Sequence, residues 1–531
     1  MVQDIVNHGN WLFPLRMGSD IPSKPPLFHW LGALISIVRG EATEAAVRFP
    51  SALLATLGIL SLYFLARRLF NPEIGLWGAV ILATSVDYQR LAISARVDMT
   101  LALFVTLSLV LFFSLYRGYL AGTLWYYVFF LVLGVGILAK GPVSVILSGM
   151  IIVIFLGLRK RWDFLFRLCC HKGVVLAVIV GMLWYGVALV EGGEEFFNRQ
   201  IVQENVARFF FSGEEGTGHQ KPVYYYLPYL LSGGLPWSLF FPFVVVDWFK
   251  GKRFSDERSL FFAVWALVVF VFFSLSVGKR SPYLLPVYPP LSLLVAGWFQ
   301  RSIGIGKGGQ IALRLLGVGS LVLAMILLVS IARVVWDSEP AWFLSVFAPA
   351  LEPRDQANLL IVKEGLVRAG GLFIFFLFFS SVLWISLSCN LWTLHIRALP
   401  SRLALISLLS GLLVQNIVIP SIAEARSYGP FMRAVNRVVE RDRIYLYSGA
   451  LDVGSLFFYR GSKIPAVEWS PQEMLENLQR TGDYFIMRKK DWERIEAMNR
   501  DVPAPLLESK GSGPDGDARL VLVHGKAKGA D

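Results

Sequence analysis

Long runs of apolar residues, separated by short polar connections, dominate the chain from about residue 46 to residue 420. Runs such as LALFVTLSLVLFFSLY and GLFIFFLFFSSVLWISL approach the roughly 20 apolar residues that a helix needs to cross a bilayer. They are too long and too continuous to be strands of a membrane barrel. The pattern predicts a polytopic α-helical membrane protein with about twelve spans of bilayer-crossing length. The predicted spans lie near 46–69, 74–92, 98–116, 122–138, 141–158, 173–190, 223–247, 259–277, 283–299, 311–336, 367–388 and 402–420.

The pattern changes after about residue 421, where short apolar stretches alternate with amphipathic ones. The stretches RIYLYSG, YFIMR and RLVLVHG predict strands, and SPQEMLENLQRTG predicts a helix with Ser470 as its N-cap and Glu473 completing a capping box. Alternation of strand and helix favours a small α/β domain outside the membrane. We therefore divide the chain into an active-face loop at 1–45, a membrane domain at 46–420 and an α/β domain at 421–531.

Charge gives the predicted orientation of the spans. Only 17% of the 531 residues are charged, against about a quarter in soluble domains. The net charge of +12 could indicate nucleic-acid binding, but Lys and Arg concentrate in alternate connections such as RKRWDFLFRLCCHK and FKGKRFSDER. The positive-inside rule places those connections in the cytoplasm. Residues 1–45, 191–222 and everything after about 421 are then predicted on the opposite side.

The predicted outer side collects ionisable and aromatic residues that composition alone does not predict. They occur in the stretches IPSKPPLF, SARVDM, AKGP, GTGHQKPVYYYLP and GKRSPYLLP, and they are Lys24, Arg96, Asp98, Lys140, His219, Lys221, Lys279, Arg280 and Tyr283. Charges near a bilayer are energetically expensive, so this set is a candidate functional site. Cations held by a restricted backbone suit a lipid-linked phosphate, and prolines flank Lys24 on both sides.

Plainer explanations exist for the same residues. Lys24 could snorkel to headgroups, and Asp98 could serve only to stabilise the N-terminus of a helix. His219 could be a solvated loop histidine, and Lys279 and Arg280 could be interfacial anchors.

In their order along the chain, several motifs resemble one family of membrane enzymes. The motifs are HGNWLFPLRMGSDIPSKPPLFHWLGAL, SARVDM, LAKGPVSVIL, HQKPVYYYLPYLLSGGLPW, GKRSPYLLPVYPPLSLL and SLFFYRG. Together they are similar to the bacterial aminoarabinose transferase and protein O-mannosyltransferase superfamily, which are glycosyltransferases of the GT-C fold. The resemblance implies an inverting transferase of the bacterial inner membrane. It would move a sugar from a polyprenyl-phosphate carrier to a lipid (lipid A-like) or protein acceptor at the periplasmic face.

The resemblance also implies roles for individual residues. Lys24 matches the lysine that holds the carrier phosphate. Apart from the resemblance, we expect Arg96 and Lys221, cations on the same predicted side, to bind substrate as well. Asp98 matches an assisting aspartate and is the predicted catalytic residue of this chain. Tyr283 matches a tyrosine that lines the carrier site, and His219 matches a histidine that helps to hold a divalent metal.

Two departures from the family pattern qualify these roles. Ser23 stands where the aminoarabinose branch has a metal-sharing glutamate, so we expect any metal to bind weakly. The family's principal catalytic aspartate precedes the segment that matches MVQDIVNHGNW. We therefore expect that Met1 is not the natural start and that a further span and an acidic pair lie upstream.

Two other functions are compatible with the sequence. A lipid or sugar transporter (or flippase) would also have many spans, although internal repeats or mid-span polar residues would then be expected. A catalytically inactive, truncated member of the family would keep most of the motifs. The identity of the sugar, and whether the acceptor is lipid or protein, are left open by the sequence.

Overall fold

A computed structural model of the chain describes residues 1–207, 221–251, 253–301, 306–336, 353–439, 443–447, 453–499, 502–511 and 519–526. Helices make up most of these ranges, and the strands are confined to the C-terminal part. The α-helices are α1 Val2–His8, α2 Leu27–Arg39, α3 Glu44–Leu69, α4 Pro72–Thr84, α5 Val86–Ala92, α6 Asp98–Tyr116, α7 Thr123–Lys140, α8 Val143–Leu158, α9 Trp162–Cys169, α10 Gly173–Phe196, α11 Tyr226–Gly233, α12 Phe241–Lys250, α13 Glu257–Leu275, α14 Tyr288–Arg301, α15 Lys307–Trp336, α16 Pro353–Ala369, α17 Gly371–Trp392, α18 Leu399–Leu413, α19 Ile419–Arg426, α20 Gly429–Val438, α21 Val453–Arg460, α22 Pro471–Arg480 and α23 Lys489–Met498.

Shorter elements connect these helices. They are the π-helical segments Phe197–Ala207 and Val414–Val418, and the 3-10 turns Val223–Tyr225, Trp237–Phe240, Arg253–Ser255, Ser281–Val287 and Ile396–Ala398. The strands are β1 Ile444–Tyr447, β2 Ala466–Val467, β3 Tyr484–Arg488, β4 Leu507–Glu508 and β5 Leu520–His524.

The helical membrane class is confirmed, and within the described residues fewer helices have bilayer-crossing length than the predicted twelve or so. Eight helices of the described residues are long and apolar enough to cross a membrane, and a bent pair brings the number to nine if it forms one span. The predicted span 223–247 is this pair, Val223–Gly233 and Trp237–Lys250, which bends by 108°. In 74–92, 141–158 and 283–299 the longest α-helices have 13, 16 and 14 residues, because serine- or proline-containing turns interrupt or delimit them. Sixteen helical residues rise only about 24 Å, less than the roughly 30 Å of the hydrocarbon core.

Two helices form the centre of the membrane bundle. The most apolar windows of α6 and α13 are 72% and 61% buried within the protein, whereas that of α15 is 22% buried. Phe113 of α6 stacks on Phe261 of α13 with ring centroids 4.3 Å apart, and Phe155 of α8 packs edge-on against Phe261 at 5.3 Å. Offset and edge-to-face aromatic pairs add to the van der Waals packing that holds helices together in lipid, where the hydrophobic effect between helices is absent.

The two ends of this bundle carry different polar groups. At one end α6 begins at Asp98, α7 ends at Lys140, and Tyr283 follows the end of α13. We call this the Asp98 end. At the other end α6 finishes at Tyr116 and α13 begins at Glu257, whose carboxylate accepts a hydrogen bond from the Tyr116 hydroxyl at 2.5 Å. We call this the Glu257 end.

The chain forms two compact units, Met1–Val322 with Leu383–Gly411, and Leu323–Val382 with Leu412–Asp531. The second unit contains a five-stranded sheet in the order β2-β1-β3-β5-β4. Pairs β1–β2 and β1–β3 are parallel, and β3–β5 and β4–β5 are antiparallel. Helices cover both faces, with Met432 and Leu456 buried on one side and Met474 and Ile495 on the other.

The prediction of a small C-terminal α/β domain is confirmed. The three predicted strands correspond to β1, β3 and β5, and the predicted helix is α22. The Ser470 side chain accepts from the Glu473 backbone N–H, and the Glu473 carboxylate accepts from the Ser470 backbone N–H at 2.7 Å, so the capping box is present. The short strands β2 and β4 were not predicted, because two residues are too few to show an alternating pattern.

Candidate functional site

The first candidate group consists of Asp98, Lys140 and Tyr283. Asp98 is the first residue of α6 and Lys140 the last residue of α7, and their side chains form an ion pair in which each is 9% exposed. The Lys140 ammonium also lies 4.0 Å from the centre of the Tyr283 ring. The negative face of an aromatic ring attracts a cation, so Tyr283 and Asp98 hold the same ammonium from two sides. Three motifs distant in sequence therefore meet at one point.

The geometry fits elementary helix electrostatics. A carboxylate at the N-terminus of α6 and an ammonium at the C-terminus of α7 each complement the dipole of their own helix. Gly141, with φ at 83°, ends α7 directly after Lys140 and turns the chain into α8. A left-handed backbone at this position favours glycine, which explains the Lys-Gly-Pro sequence.

The second candidate group is the ion pair between Lys24 and Glu204. Lys24 precedes α2, and Glu204 belongs to the π-helical segment Phe197–Ala207. Their side chains are 23% and 14% exposed. Pro25 and Pro26 are buried, and the Pro26 carbonyl accepts from the Trp30 backbone N–H at 2.8 Å. The lysine therefore stands on a backbone whose torsions are restricted both by proline rings and by the following helix.

An apolar cluster joins the neighbourhoods of these two groups. Ile21, three residues before Lys24, packs with Ile137 and Leu138 of α7, and with Trp184 and Phe196 of α10. Hydrogen bonds add to the packing, because the Trp184 indole donates to the Leu12 carbonyl at 2.7 Å. The Lys24 segment and the Lys140 end of α7 are thus parts of one packed region.

A short connection after α13 adds further cations to the Asp98 end. Lys279 is 4% exposed, and its ammonium donates to the Ser276 carbonyl. Burial lowers the pKa of the Lys279 ammonium below its ordinary value. The Tyr226 hydroxyl accepts from the Arg280 backbone N–H at 3.1 Å and donates to the Arg280 carbonyl at 3.2 Å. Tyr226 thereby fixes the segment that carries Tyr283.

A buried carboxylate that the sequence did not single out lies on α5. Asp87 accepts from the Arg90 Nε at 2.9 Å and from the Tyr288 hydroxyl at 3.2 Å. A Cβ on Gly233 would lie 2.4 Å from an Asp87 carboxylate oxygen, so only glycine fits at that position. The group connects α5, α14 and the end of α11, and its partners satisfy it within the protein.

The remaining predicted site residues are less enclosed or lie outside the described ranges. The side chains of Arg96 and Lys221 are exposed. His219 lies outside the described residues. The stretch EEFFNRQIVQENVARFFF has apolar residues at the spacing of one helical face, which predicts an amphipathic helix at the membrane–water interface. Its residues Phe209 and Phe210 also lie outside the described residues. The described part of that helix continues α10 through a kink at Gly193, whose φ is 54°.

A metal site needs several donor side chains close to one another. Within the described ranges, no three His, Cys, Asp or Glu side chains lie close enough together to hold a metal ion. The carboxylate found beside the Lys24 loop is Glu204, which pairs with the lysine itself. The residues described do not form a tight metal site.

Sequence reasoning noted Lys140 without assigning it a role, and it missed Glu204. Glu204 lies 180 residues from Lys24, and Lys140 lies 42 residues from Asp98, so no local pattern reveals either pairing. The one signal available for Glu204 was its position in the predicted amphipathic helix, close to the GTGHQKPV motif.

Comparisons with known proteins bear on the family. The family model for dolichyl-phosphate-mannose-protein mannosyltransferases matches residues 23–185, which include Lys24, Asp98 and Lys140. A relative from Sodalis glossinidius, named undecaprenyl phosphate-alpha-4-amino-4-deoxy-L-arabinose arabinosyl transferase 2, is 26% identical over 98% of this chain and 88% of its own. The chain is therefore similar to aminoarabinose transferases over almost its whole length and to protein mannosyltransferases over residues 23–185.

Further relatives and solved structures match with different coverage. The arabinosyl transferase of Edwardsiella ictaluri is 29% identical over 61% of this chain, and the chain spans only 57% of that relative's length. Among solved structures, ArnT from Cupriavidus metallidurans bound to undecaprenyl phosphate is similar with a TM-score of 0.71. It is 19% identical, and the match covers 99% of this chain and 92% of that one. The superfamily's GT-C fold is therefore the fold of this chain.

Proposed function

We propose that the protein is an inverting glycosyltransferase that moves a sugar from a polyprenyl-phosphate carrier to a lipid acceptor resembling lipid A. One observation supports this most directly. The Lys24–Glu204 ion pair and the Asp98–Lys140–Tyr283 group lie beside the same apolar cluster, which packs the Lys24 segment against α7. Arabinosyl transferases that use undecaprenyl phosphate are named among its relatives, which favours a pentose donor and a lipid acceptor. The transfer takes place at the Asp98 end, which we assign to the periplasmic face of the inner membrane.

Lys24 binds the phosphate of the carrier. The Lys24 ammonium pairs with Glu204, so a bound carrier phosphate would replace one anion with another. An unpaired charge at a partly buried position is costly. Because one anion replaces the other, the Lys24 ammonium always has a partner. Arg96 and Lys221, both exposed, contact the phosphate or the sugar from the solvent side of the site.

The chemical step follows from where charge develops. The acceptor hydroxyl oxygen attacks the anomeric carbon while the bond from that carbon to the carrier phosphate breaks. The leaving polyprenyl phosphate gains negative charge, which Lys24 stabilises at a fixed position. Attack from the face opposite the leaving phosphate inverts the anomeric configuration. The hydroxyl proton goes to a carboxylate, and Asp98 is the candidate for this role.

Lys140 and Tyr283 position Asp98. The ammonium pairs with the Asp98 carboxylate and holds it in place, and the ring beneath it restricts where the ammonium can move. Tyr283 also lines the carrier site, next to the connection that Tyr226 fixes. Any divalent metal would bind weakly near His219, because Ser23 provides no carboxylate and Glu204 is engaged with Lys24.

The experiment that tests the proposed function is a transfer assay in proteoliposomes. Purified protein is given labelled undecaprenyl-phosphate aminoarabinose together with lipid A, and separately with a membrane-protein acceptor. Label on lipid A supports the proposal. Label that appears only on protein would contradict the lipid acceptor. Movement of the carrier across the vesicle membrane without any transfer would favour the transporter alternative.

A further inference from the structure

A large cavity lies at the Glu257 end of the bundle, away from the groups described above. Its volume is about 890 Å³, and it opens between α12, the end of α14 and the beginning of α15. Its wall is apolar along the 3-10 turn Trp237–Phe240 and along α12, α14 and α15. The apolar lining residues are Leu239, Pro242, Phe243, Val246, Trp298, Ala312, Leu315 and Leu316. A cavity with one long apolar wall suits a hydrocarbon chain.

Cations collect at one end of this cavity. Lys250, Arg301 and Lys307 line it together with a single acid, Asp247. Lys250 is the last residue of α12, Arg301 the last of α14 and Lys307 the first of α15, so all three stand at helix ends. Lys307 begins a helix long and apolar enough to cross the membrane, so this end of the cavity lies at the level of lipid headgroups. The cavity is therefore apolar at hydrocarbon depth and cationic at headgroup depth.

The carboxylate that lines the cavity, Asp247, already accepts hydrogen bonds from two arginines. Asp247 accepts from Arg253 and from Arg301, each at 3.4 Å. Asp256, which also attracts Arg301, accepts from the Ser259 backbone N–H at 3.2 Å and from Arg258 at 3.4 Å. Among the described residues, the Nε atoms of Arg253 and Arg301 are buried without a hydrogen-bond partner. A guanidinium has five N–H donors, so both arginines keep donors for an anion.

The start of α15 adds backbone donors to the same place. Gly308 and Gly309 line the cavity in the first turn of the helix, where the backbone N–H groups have no intrahelical acceptor. Without side chains, these glycines leave the N–H groups accessible. Three lining cations against one carboxylate, together with these donors, make a site for a phosphate group.

We propose that this cavity binds an anionic phospholipid, with its phosphate beside Arg301, Lys250 and Lys307 and an acyl chain along the apolar wall. Charge complementarity at the headgroup end and the length of the apolar wall point to a lipid rather than a free anion. The site is at the opposite end of the bundle from Lys24 and Asp98, so it is separate from the proposed transfer site. In the proposed orientation the lipid belongs to the cytoplasmic leaflet.

The test measures which lipid stays on the purified protein. The protein is exchanged into mixed micelles containing phosphatidylglycerol or phosphatidylcholine with identical acyl chains, and the tightest-bound lipid is followed by native mass spectrometry. Phosphatidylglycerol should bind about tenfold more tightly than phosphatidylcholine, because each headgroup-level lysine contributes a substantial attraction. Equal binding of the two lipids would overturn the proposal.

Variants distinguish the cavity from the general basic surface. Lys250→Gln with Lys307→Gln should reduce phosphatidylglycerol binding about tenfold, to the level of phosphatidylcholine. The control, Lys160→Gln with Lys172→Gln, removes the same charge from exposed residues outside the cavity and should leave binding unchanged. An equal loss in the control would show that the attraction belongs to the surface as a whole and would overturn the site.

A third variant separates a lipid from a free phosphate. Ala312→Phe fills the apolar wall and leaves every cation in place, so it should weaken phosphatidylglycerol binding at least tenfold. Inorganic phosphate should not displace the lipid at millimolar concentration. If Ala312→Phe has no effect, or if phosphate displaces the lipid fully, the ligand is a free anion and the lipid proposal is wrong.

Discussion

The two ends of the central helices hold their charges in different ways. At the Asp98 end, the Asp98 and Lys140 side chains are each 9% exposed and have Tyr283 packed against the ammonium. At the Glu257 end, Glu257 is 20% exposed and its partners Arg117 and Arg159 are 37% and 34% exposed. Both places join helix ends, but of these two ion-paired groups only the one at the Asp98 end is removed from solvent.

This difference indicates which ion pairs serve stability and which serve function. Burying two charges carries a desolvation penalty that their attraction does not always offset, so a buried pair is weak evidence for stability. A partly exposed network such as that around Glu257 avoids most of the penalty and ties helix ends together. The enclosed pair at the Asp98 end is therefore better explained by chemistry, and the variants below test this assignment.

The largest expected effect comes from breaking the enclosed pair on one side. Lys140→Met leaves the Asp98 carboxylate buried without its partner and should lower the free energy of unfolding by about 3–5 kcal/mol, with transfer reduced by two or more orders of magnitude. Thermal unfolding in detergent and the transfer assay measure the two losses.

The double variant separates stability from chemistry. Lys140→Met with Asp98→Asn removes both charges, so most of the stability should return, because a neutral pair has little desolvation penalty. Transfer should stay low. Recovery of transfer together with stability would show that the pair is structural.

A smaller effect is expected at the other end. Glu257→Gln keeps the shape of the side chain but weakens its charge-assisted bonds to Arg117 and Arg159, and it should lower the free energy of unfolding by about 1–2 kcal/mol. Transfer per folded molecule should change less than about twofold. A loss of transfer comparable to that of Lys140→Met would remove the distinction between the two ends.

Glu204 should act as a competitor of the carrier phosphate. Glu204→Gln removes the negative charge that occupies Lys24, so the carrier should bind about fivefold more tightly, with the maximal rate changed little. Titration with undecaprenyl phosphate measures this affinity. The matched control is Glu195→Gln, which changes an exposed acid near the end of α10. Weaker carrier binding in Glu204→Gln would mean that the carboxylate supports the site instead of competing for it.

Chelation should have the smallest effect. Ser23 provides no carboxylate, and the Glu204 carboxylate is paired with Lys24, so neither residue holds a metal tightly. Removal of divalent metal should therefore change the transfer rate by less than about twofold. Ser23→Glu should raise the metal content of the purified protein. Stoichiometric zinc in the unaltered protein would contradict a weak site.

Local sequence patterns were informative wherever the structure depends on neighbours in the chain. The capping box at Ser470, the strands that pair around β3 and the long apolar runs could all be predicted, because each follows from residues within about 20 positions of one another. Helix interruptions were predicted less well. Residues 74–92 read as one apolar segment, yet Ser85 adopts an extended conformation and separates α4 from α5.

The candidate site could be predicted only in part. Lys24, Asp98 and Tyr283 were identified by their motifs, but the side chains that hold them come from far along the chain. Asp98 finds its partner 42 residues away, and Lys24 finds its partner 180 residues away in a segment that was read only as amphipathic. Pairing of this kind is decided by how helices pack, which single-sequence patterns do not encode.

The most direct test of the central claim is the transfer rate of Lys24→Ala measured beside Lys221→Ala. Both variants remove one lysine from the same end of the bundle, but Lys24 is partly buried and held by prolines whereas Lys221 is exposed. If Lys24 stabilises the leaving phosphate, Lys24→Ala should lower kcat/KM by about two to three orders of magnitude, and Lys221→Ala by less than tenfold. Near-normal transfer by Lys24→Ala would contradict the account and leave Lys24 as a lysine that contacts headgroups.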